Sequence, residues 1–154
     1  MKKYLKFLPV LFFLFTYTGA IAQETVSDEE LKKYAVVMDS IDNMKKDLMV
    51  SISEMVKNSE VISGARYNEL SKIINDETKL ADAKATPEEI AAIKEIIKAK
   101  DEGTAKIQET FKVLASDYVG AAVYNKVKKA IAENQDVKTK YEAILAELKA
   151  EDSE

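Results

Sequence analysis
From Leu31 onward the apolar residues recur at three- and four-residue steps: Leu31, Tyr34, Met38, Ile41, Leu48, Ile52 and Met55. Adding Val37, Met44, Met49 and Val56 at 100° per residue gives an arc about 140° wide, broader than the seam of a two-stranded coiled coil. The pattern predicts one helix from 28 to about 57, roughly 45 Å long at 1.5 Å per residue. Ile90, Ile93, Ile97, Ile107, Phe111 and Leu114 repeat the pattern and predict a second long helix to about residue 116. Each long helix is followed by another. Tyr67, Leu70, Ile73 and Ile74 predict a helix continuing to Leu80, whereas Val123, Tyr124, Val127 and Ile131 lead towards Val137, Tyr141, Ile144, Leu145 and Leu148. A break is expected near Asn134-Gln135-Asp136, and the tail from Glu151 to Glu154 should fray. Long β-branched alternation is absent, and beyond residue 23 the only glycines are Gly64, Gly103 and Gly120 and the only proline is Pro87. The expected fold is all-α, an antiparallel bundle of four main helices.

Two helix starts are written plainly. Ser27-Asp28-Glu29-Glu30 and Thr86-Pro87-Glu88-Glu89 each place a hydroxyl at the N-cap and a glutamate three residues later. The hydroxyl accepts from a free backbone N–H of the first turn, and the glutamate accepts from the cap's own N–H. Pro87 stands at the first helical position, where its missing donor costs nothing.

These starts also reveal an internal repeat. At an offset of 59 residues, Ser27 pairs with Thr86, Glu29 and Glu30 with Glu88 and Glu89, and Leu31, Tyr34, Val37 and Met38 with Ile90, Ile93, Ile96 and Ile97. Further along, Leu48, Ile52 and Met55 pair with Ile107, Phe111 and Leu114. At an offset of 57, Tyr67-Asn68 matches Tyr124-Asn125, followed by Leu70/Val127, Lys72/Lys129 and Ile74/Ile131. Any two amphipathic helices agree once phased, so the weight rests on the matching caps, the Tyr-Asn pairs and the spacing. The predicted organisation is a hairpin repeat over 23–85 and another over 86–154, joined in one compact domain because neither could bury its stripe alone.

The acidic cap of the Ser-Asp-Glu-Glu-Leu type, the long amphipathic helix and the Tyr-Asn-x-Leu/Val helix resemble the bacterial domain-of-unknown-function 4168 family. The resemblance covers Ser27 to about Leu80, and more loosely Thr86 to about Val137. The second copy departs from it at Gly120, where the first has Ser63, and at Ile93, where the first has Tyr34. The resemblance implies a helical fold and export, and supplies no activity.

The first 22 residues read as a secretory signal. Lys2, Lys3 and Lys6 make a basic start, Phe7 to Phe15 an apolar stretch, and Ala20-Ile21-Ala22 a small-residue cleavage site before Gln23. A spanning helix needs roughly 20 apolar residues, and Pro9 and the Thr16-Tyr17-Thr18-Gly19 run interrupt or end this one. The expectation is export to the periplasm or cell exterior, with no membrane span after signal removal. Export changes the charge: the chain has 23 basic and 27 acidic residues, and the signal removes three lysines and no acid, leaving −7. Such a chain gains nothing from counter-ion release at phosphate backbones, so no nucleic-acid partner is expected. Arg66 is the one arginine, so a forked clamp on a carboxylate or phosphate can be built at one position only.

Neither cysteine nor histidine is present. Disulfides, an N-terminal lipid anchor, zinc fingers, Ser-His-Asp triads and cysteine nucleophiles are thereby excluded. No catalytic, cofactor-binding or metal-binding set is assigned, no cofactor is expected, and the chain is read as non-enzymatic.

Four features remain as candidates. The Tyr67-Asn68 and Tyr124-Asn125 pairs read either as a recurring ligand contact or as buried rings whose hydroxyls reach a helix end. Asp39, Asp42 and Asp47, and Asp76, Glu77 and Asp82, lack the glycine and closing glutamate of a calcium loop and read as solvated faces. From Lys98 to Lys106 no large apolar residue occurs. Lys100, Gly103 and Thr104 fall on or beside the buried stripe there, whereas the counterparts are Ile41, Met44 and Lys45. That polar layer either lines a ligand cavity or lets lysines snorkel past a bent helix. Beyond the signal segment the four methionines, Met38, Met44, Met49 and Met55, all lie on the first helix, as core filler or as a soft surface for apolar clients. Two functions follow: contact with an envelope protein or with a second copy, and, as the alternative, a small periplasmic chaperone-like binder of apolar clients.

Overall fold
The computed structural model describes residues 25–151. The expected signal segment, its expected cleavage position and residues 152–154 lie outside them. Among the described residues the chain is all-α, with no strand. It runs through α1 (Asp28–Lys57), α2 (Gly64–Leu70), α3 (Glu77–Asp82), α4 (Pro87–Val113), a π-helical stretch (Leu114–Gly120), α5 (Ala121–Glu133) and α6 (Gln135–Glu151).

Both expected capping boxes form. Ser27 Oγ accepts from the Glu30 N–H at 3.2 Å, and the Ser27 N–H donates to Glu30 Oε2 at 2.8 Å. Thr86 and Glu89 repeat the exchange at 3.2 and 2.9 Å. Each cap contributes on the order of 1 kcal/mol. The break at Asn134 also forms. Its backbone is extended, and its Oδ1 accepts from the Asp136 and Val137 N–H groups to start α6.

Two elements differ from the sequence reading. The single helix expected from Tyr67 to Leu80 is two short ones, α2 and α3, separated by a turn. Asp76 is the reason for the restart. Its side chain accepts from the Lys79 N–H and caps α3, a local bond that competes with continuing the helix. The intervening turn keeps Ile73 and Ile74 against the core. The second long helix stops at Val113, and a π-helical stretch follows. Gly120 ends that stretch at φ +90°, a conformation that favours a residue without Cβ, and serves as N-cap of α5.

The helices α1 and α4 pack antiparallel. Ile52, Met55 and Val56 at the end of α1 join Ile93 and Ile96 near the start of α4 in one core cluster. Val37 and Ile41 on α1 join Ile107 and Phe111 near the end of α4 in another. The shorter helices then cross over between halves. Leu70 of α2 is fully buried with Ile93 of α4. Val127 of α5 is fully buried with Leu31 and Tyr34 of α1. α6 covers the same cluster with Val137, Tyr141 and Ile144.

An ion pair follows each crossover. Arg66 on α2 forks onto Glu89, with Nε at 2.7 Å from Oε1 and Nη2 at 3.0 Å from Oε2, and Nη2 also donates to the Ala83 carbonyl. Lys126 on α5 reaches Glu30 at 2.5 Å. Each capping-box glutamate is thus shared between its own helix start and a cation of the opposite half. The Arg66 guanidinium, followed by the Thr86 N–H, holds Glu89 at about 2, against an ordinary 4.5. Lys126, followed by the Ser27 N–H, likewise lowers Glu30.

A carboxylate held low in the folded state stabilises the fold above its unfolded pKa, and that contribution is lost as pH falls through the folded value. Glu89→Gln should therefore lower the urea midpoint at pH 7, with the difference from wild type shrinking between about pH 4.5 and 2. A constant difference across that window, followed by circular dichroism, would remove Glu89 as the titrating group. The crossed packing gives a second expectation. Separate chains spanning 23–85 and 86–154 should each show little helix alone and regain it on equimolar mixing. Cooperative unfolding by either half alone would contradict the shared core.

Candidate functional site
Between α1, α2 and α4 lies an open cleft of about 630 Å³. Its floor is the α1 face carrying Leu48, Ile52 and Val56, with Met49, Ser53 and Lys57 beside it. One wall is α2, through Gly64, Tyr67 and Asn68, and the other is α4, through Lys100 and Thr104. None of these residues is acidic.

Local sequence explains why space opens here. The α4 wall is the segment Lys98 to Lys106, which carries no side chain large and apolar enough to cover α1. Thr104 turns its hydroxyl back onto the Lys100 carbonyl at 2.8 Å. A Cβ on Gly103 would overlap Leu48 Cδ1 and stand 3.0 Å from Cδ2. The missing Cβ leaves room for the Leu48 side chain against α4 at this level. The other wall is short because α2 ends at Leu70.

The corresponding space in the other half is full. Ile41 and Met44, counterparts of Lys100 and Gly103, pack with Phe111, the counterpart of Ile52, and with Tyr124. Tyr124 stacks 5.0 Å from Tyr34 and meets Phe111 edge-on at 5.6 Å, while Tyr141 meets Tyr34 at 5.7 Å. Burial in this cluster, with Tyr124 next to it, raises the Tyr34 phenol, and burial likewise raises Tyr141. The two Tyr-Asn pairs therefore meet different surroundings: Tyr124 joins an aromatic core, and Tyr67-Asn68 line the cleft.

The structure disperses some sequence candidates and gathers others. Asp39 is buried and accepts from the Asn43 amide at 3.2 Å, Asp42 pairs with Lys45, and Asp76 caps α3 and pairs with Lys79. Among the described residues no group of three or more acids converges on a metal position. Arg66, the one forked cation, is engaged with Glu69 and Glu89. Met38, Met44 and Met55 pack against core clusters, whereas Met49 is 73% exposed at the cleft. Lys100 and Thr104 meet Tyr67-Asn68 across one cleft, which the sequence reading had treated as separate features. It missed Ser53, Lys57 and Gly64. A usable signal was the smaller combined volume of Ile52, Lys100 and Gly103 against Phe111, Ile41 and Met44.

Compared with known proteins, the chain matches no family model, no curated protein and no solved structure. No helix among the described residues is long and apolar enough to cross a membrane.

The Leu48–Gly103 contact sets a prediction in two backgrounds. Alanine in place of a helical glycine gains about 0.5–1 kcal/mol, and the added Cβ meets only the Leu48 side chain, which borders the open cleft. Gly103→Ala should therefore gain less than about 0.5 kcal/mol in urea unfolding, because Leu48 must turn towards the cleft to admit it. In a Leu48→Ala background the same substitution should gain the full amount of about 0.5–1 kcal/mol, because the overlap is gone. Equal gains in both backgrounds would show that Leu48 is not what Gly103 accommodates.

Proposed function
We propose that this chain is an exported, non-catalytic helical binding protein, and that it acts by taking an apolar ligand into the cleft between α1, α2 and α4. The observation that carries this is the cleft itself, with Leu48, Ile52 and Val56 along its floor and Met49 exposed at its edge. Wells of this kind, apolar with a few polar groups, are the usual form of small-ligand sites, and the volume falls within the common range of about 300–1,000 Å³. Of the two functions expected from the sequence, contact with an envelope protein and capture of apolar clients, the cleft favours the second. Flexible thioethers adapt to varied apolar shapes, and Met49 offers one at the edge of the cleft. The proposed site is in the periplasm or outside the cell, on the strength of the basic and apolar start and the Ala-x-Ala sequence before Gln23.

We also propose that 23–85 and 86–154 are copies of one helical hairpin, forming an antiparallel bundle of four main rods with α2–α3 and α5–α6 as equivalent arms. Support comes from the reciprocal cap-to-cation pairs at Glu30 and Glu89, and from Leu70 and Val127, both fully buried. Ser63 and Gly120, at equivalent positions, both serve as N-caps of the helices that carry the Tyr-Asn pairs. Membership of the domain-of-unknown-function 4168 family would fit this arrangement and add no activity to it.

Nile red, an uncharged dye that brightens in apolar surroundings, tests the binding reading. The native chain should bind it with a blue-shifted emission. Met49→Asp should weaken that binding at least tenfold while leaving the urea midpoint close to wild type, because the side chain is exposed. Absence of dye binding by the folded wild-type chain would end the proposal.

A further inference from the structure
We infer that the cleft binds an anionic amphiphile, a single apolar chain ended by a carboxylate or phosphate. This rests on the reading of the cleft as a binding site and names the chemistry of its ligand.

The charge pattern points there first. Acids outnumber basic residues 27 to 23 in the whole chain, yet the cleft has two lysines, Lys57 and Lys100, and no acid. Neither lysine forms an ion pair with any described residue. Screening confines each charge to about 8 Å at physiological salt. The net negative charge of the chain therefore does not cancel an ammonium group at the cleft. Asn68 adds an amide donor on the α2 wall.

The shape of the floor supplies the other half of the ligand. Leu48, Ile52 and Val56 stand one turn apart along α1, so the apolar floor runs along the helix axis as an extended chain would. The same level of the opposite half holds Phe111 and Ile41 where the cleft has Ile52 and Lys100, and it is closed. Three positions thus differ. Ile52 stands in place of the Phe111 ring and Gly103 in place of Met44, which leaves space, and Lys100 puts an ammonium where Ile41 is apolar. The lysine adds a preference for negative charge, and its stem still covers apolar surface.

Direct calorimetric titration of the full chain with laurate, dodecyl phosphate and 1-dodecanol tests this. All three carry the same twelve-carbon chain. At least one anion should bind tenfold or more tightly than the alcohol, and either order of the two anions supports the proposal while identifying the preferred headgroup. The double variant Lys57→Gln/Lys100→Gln should bring anion and alcohol within about threefold of each other. Ile52→Phe, which restores the ring of the closed half, should weaken all three ligands. If that variant fails to fold, the exposed lysine pair still decides. Shortening the laurate chain should cost up to about fourfold per methylene removed. An alcohol that binds as tightly as both anions would overturn the inference while leaving the apolar cleft standing. So would anion binding unchanged in the double lysine variant. Binding by none of the three would bring down the apolar-cleft reading as well.

Discussion

The rest of the structure depends on the antiparallel contact of α1 and α4, because each core cluster is built on one or both of them. A chain without cysteine has only packing to hold two rods of this length together. The contact alone would leave the outer part of each apolar arc open. α2 closes it over the start of α4, and α5 closes it over the start of α1, so each half completes the other's core. The capping glutamates fix those crossovers in place. Glu30 and Glu89 each accept from the N-cap N–H of their own helix and from a cation across the interface. A helix start already favours negative charge, so the ion pair adds to an interaction that the helix termini make in any case.

The cleft is a departure from that reciprocity rather than a separate feature. Where the two halves are compared level by level, one side has a ring, a methionine and an isoleucine, and the other has an isoleucine, a glycine and a lysine. The closed side becomes an aromatic cluster in which Tyr34, Tyr124, Tyr141 and Phe111 share ring edges and faces. The open side cannot collapse to fill the deficit. Leu48 already rests on Gly103, so α1 and α4 are in contact at this level. A volume deficit between helices held apart in this way remains as an accessible space.

Much of the architecture was legible in the sequence because its signals are local. The hydroxyl and glutamate of a capping box lie three residues apart, and Ser27 and Thr86 began their helices where that spacing said they would. The break at Asn134 was visible for a similar reason: its side chain competes for nearby N–H groups. Asp76 uses the same chemistry to end the expected helix through Leu80, but the apolar steps at Ile73 and Ile74 masked it. The π-helical stretch at Leu114–Gly120 had no such marker beyond Gly120 itself.

What the sequence determined by itself was the helical class, the position of both long helices, and the absence of any histidine- or cysteine-based chemistry, since these follow from composition and from periods of a few residues. The polar character of Lys98 to Lys106 was also plain. Whether that segment bent, snorkelled or lined a cavity was decided only by tertiary structure, because it depended on which residues of α1 came to lie opposite. The same holds for the two Tyr-Asn pairs. Identical dipeptides on two helices, α2 and α5, reached different surroundings, one packed against Tyr34 and Phe111, the other beside Ile52 and Lys100. Residues distant in sequence set the volume around each ring, and a local pattern carries no record of that volume until the helices are packed.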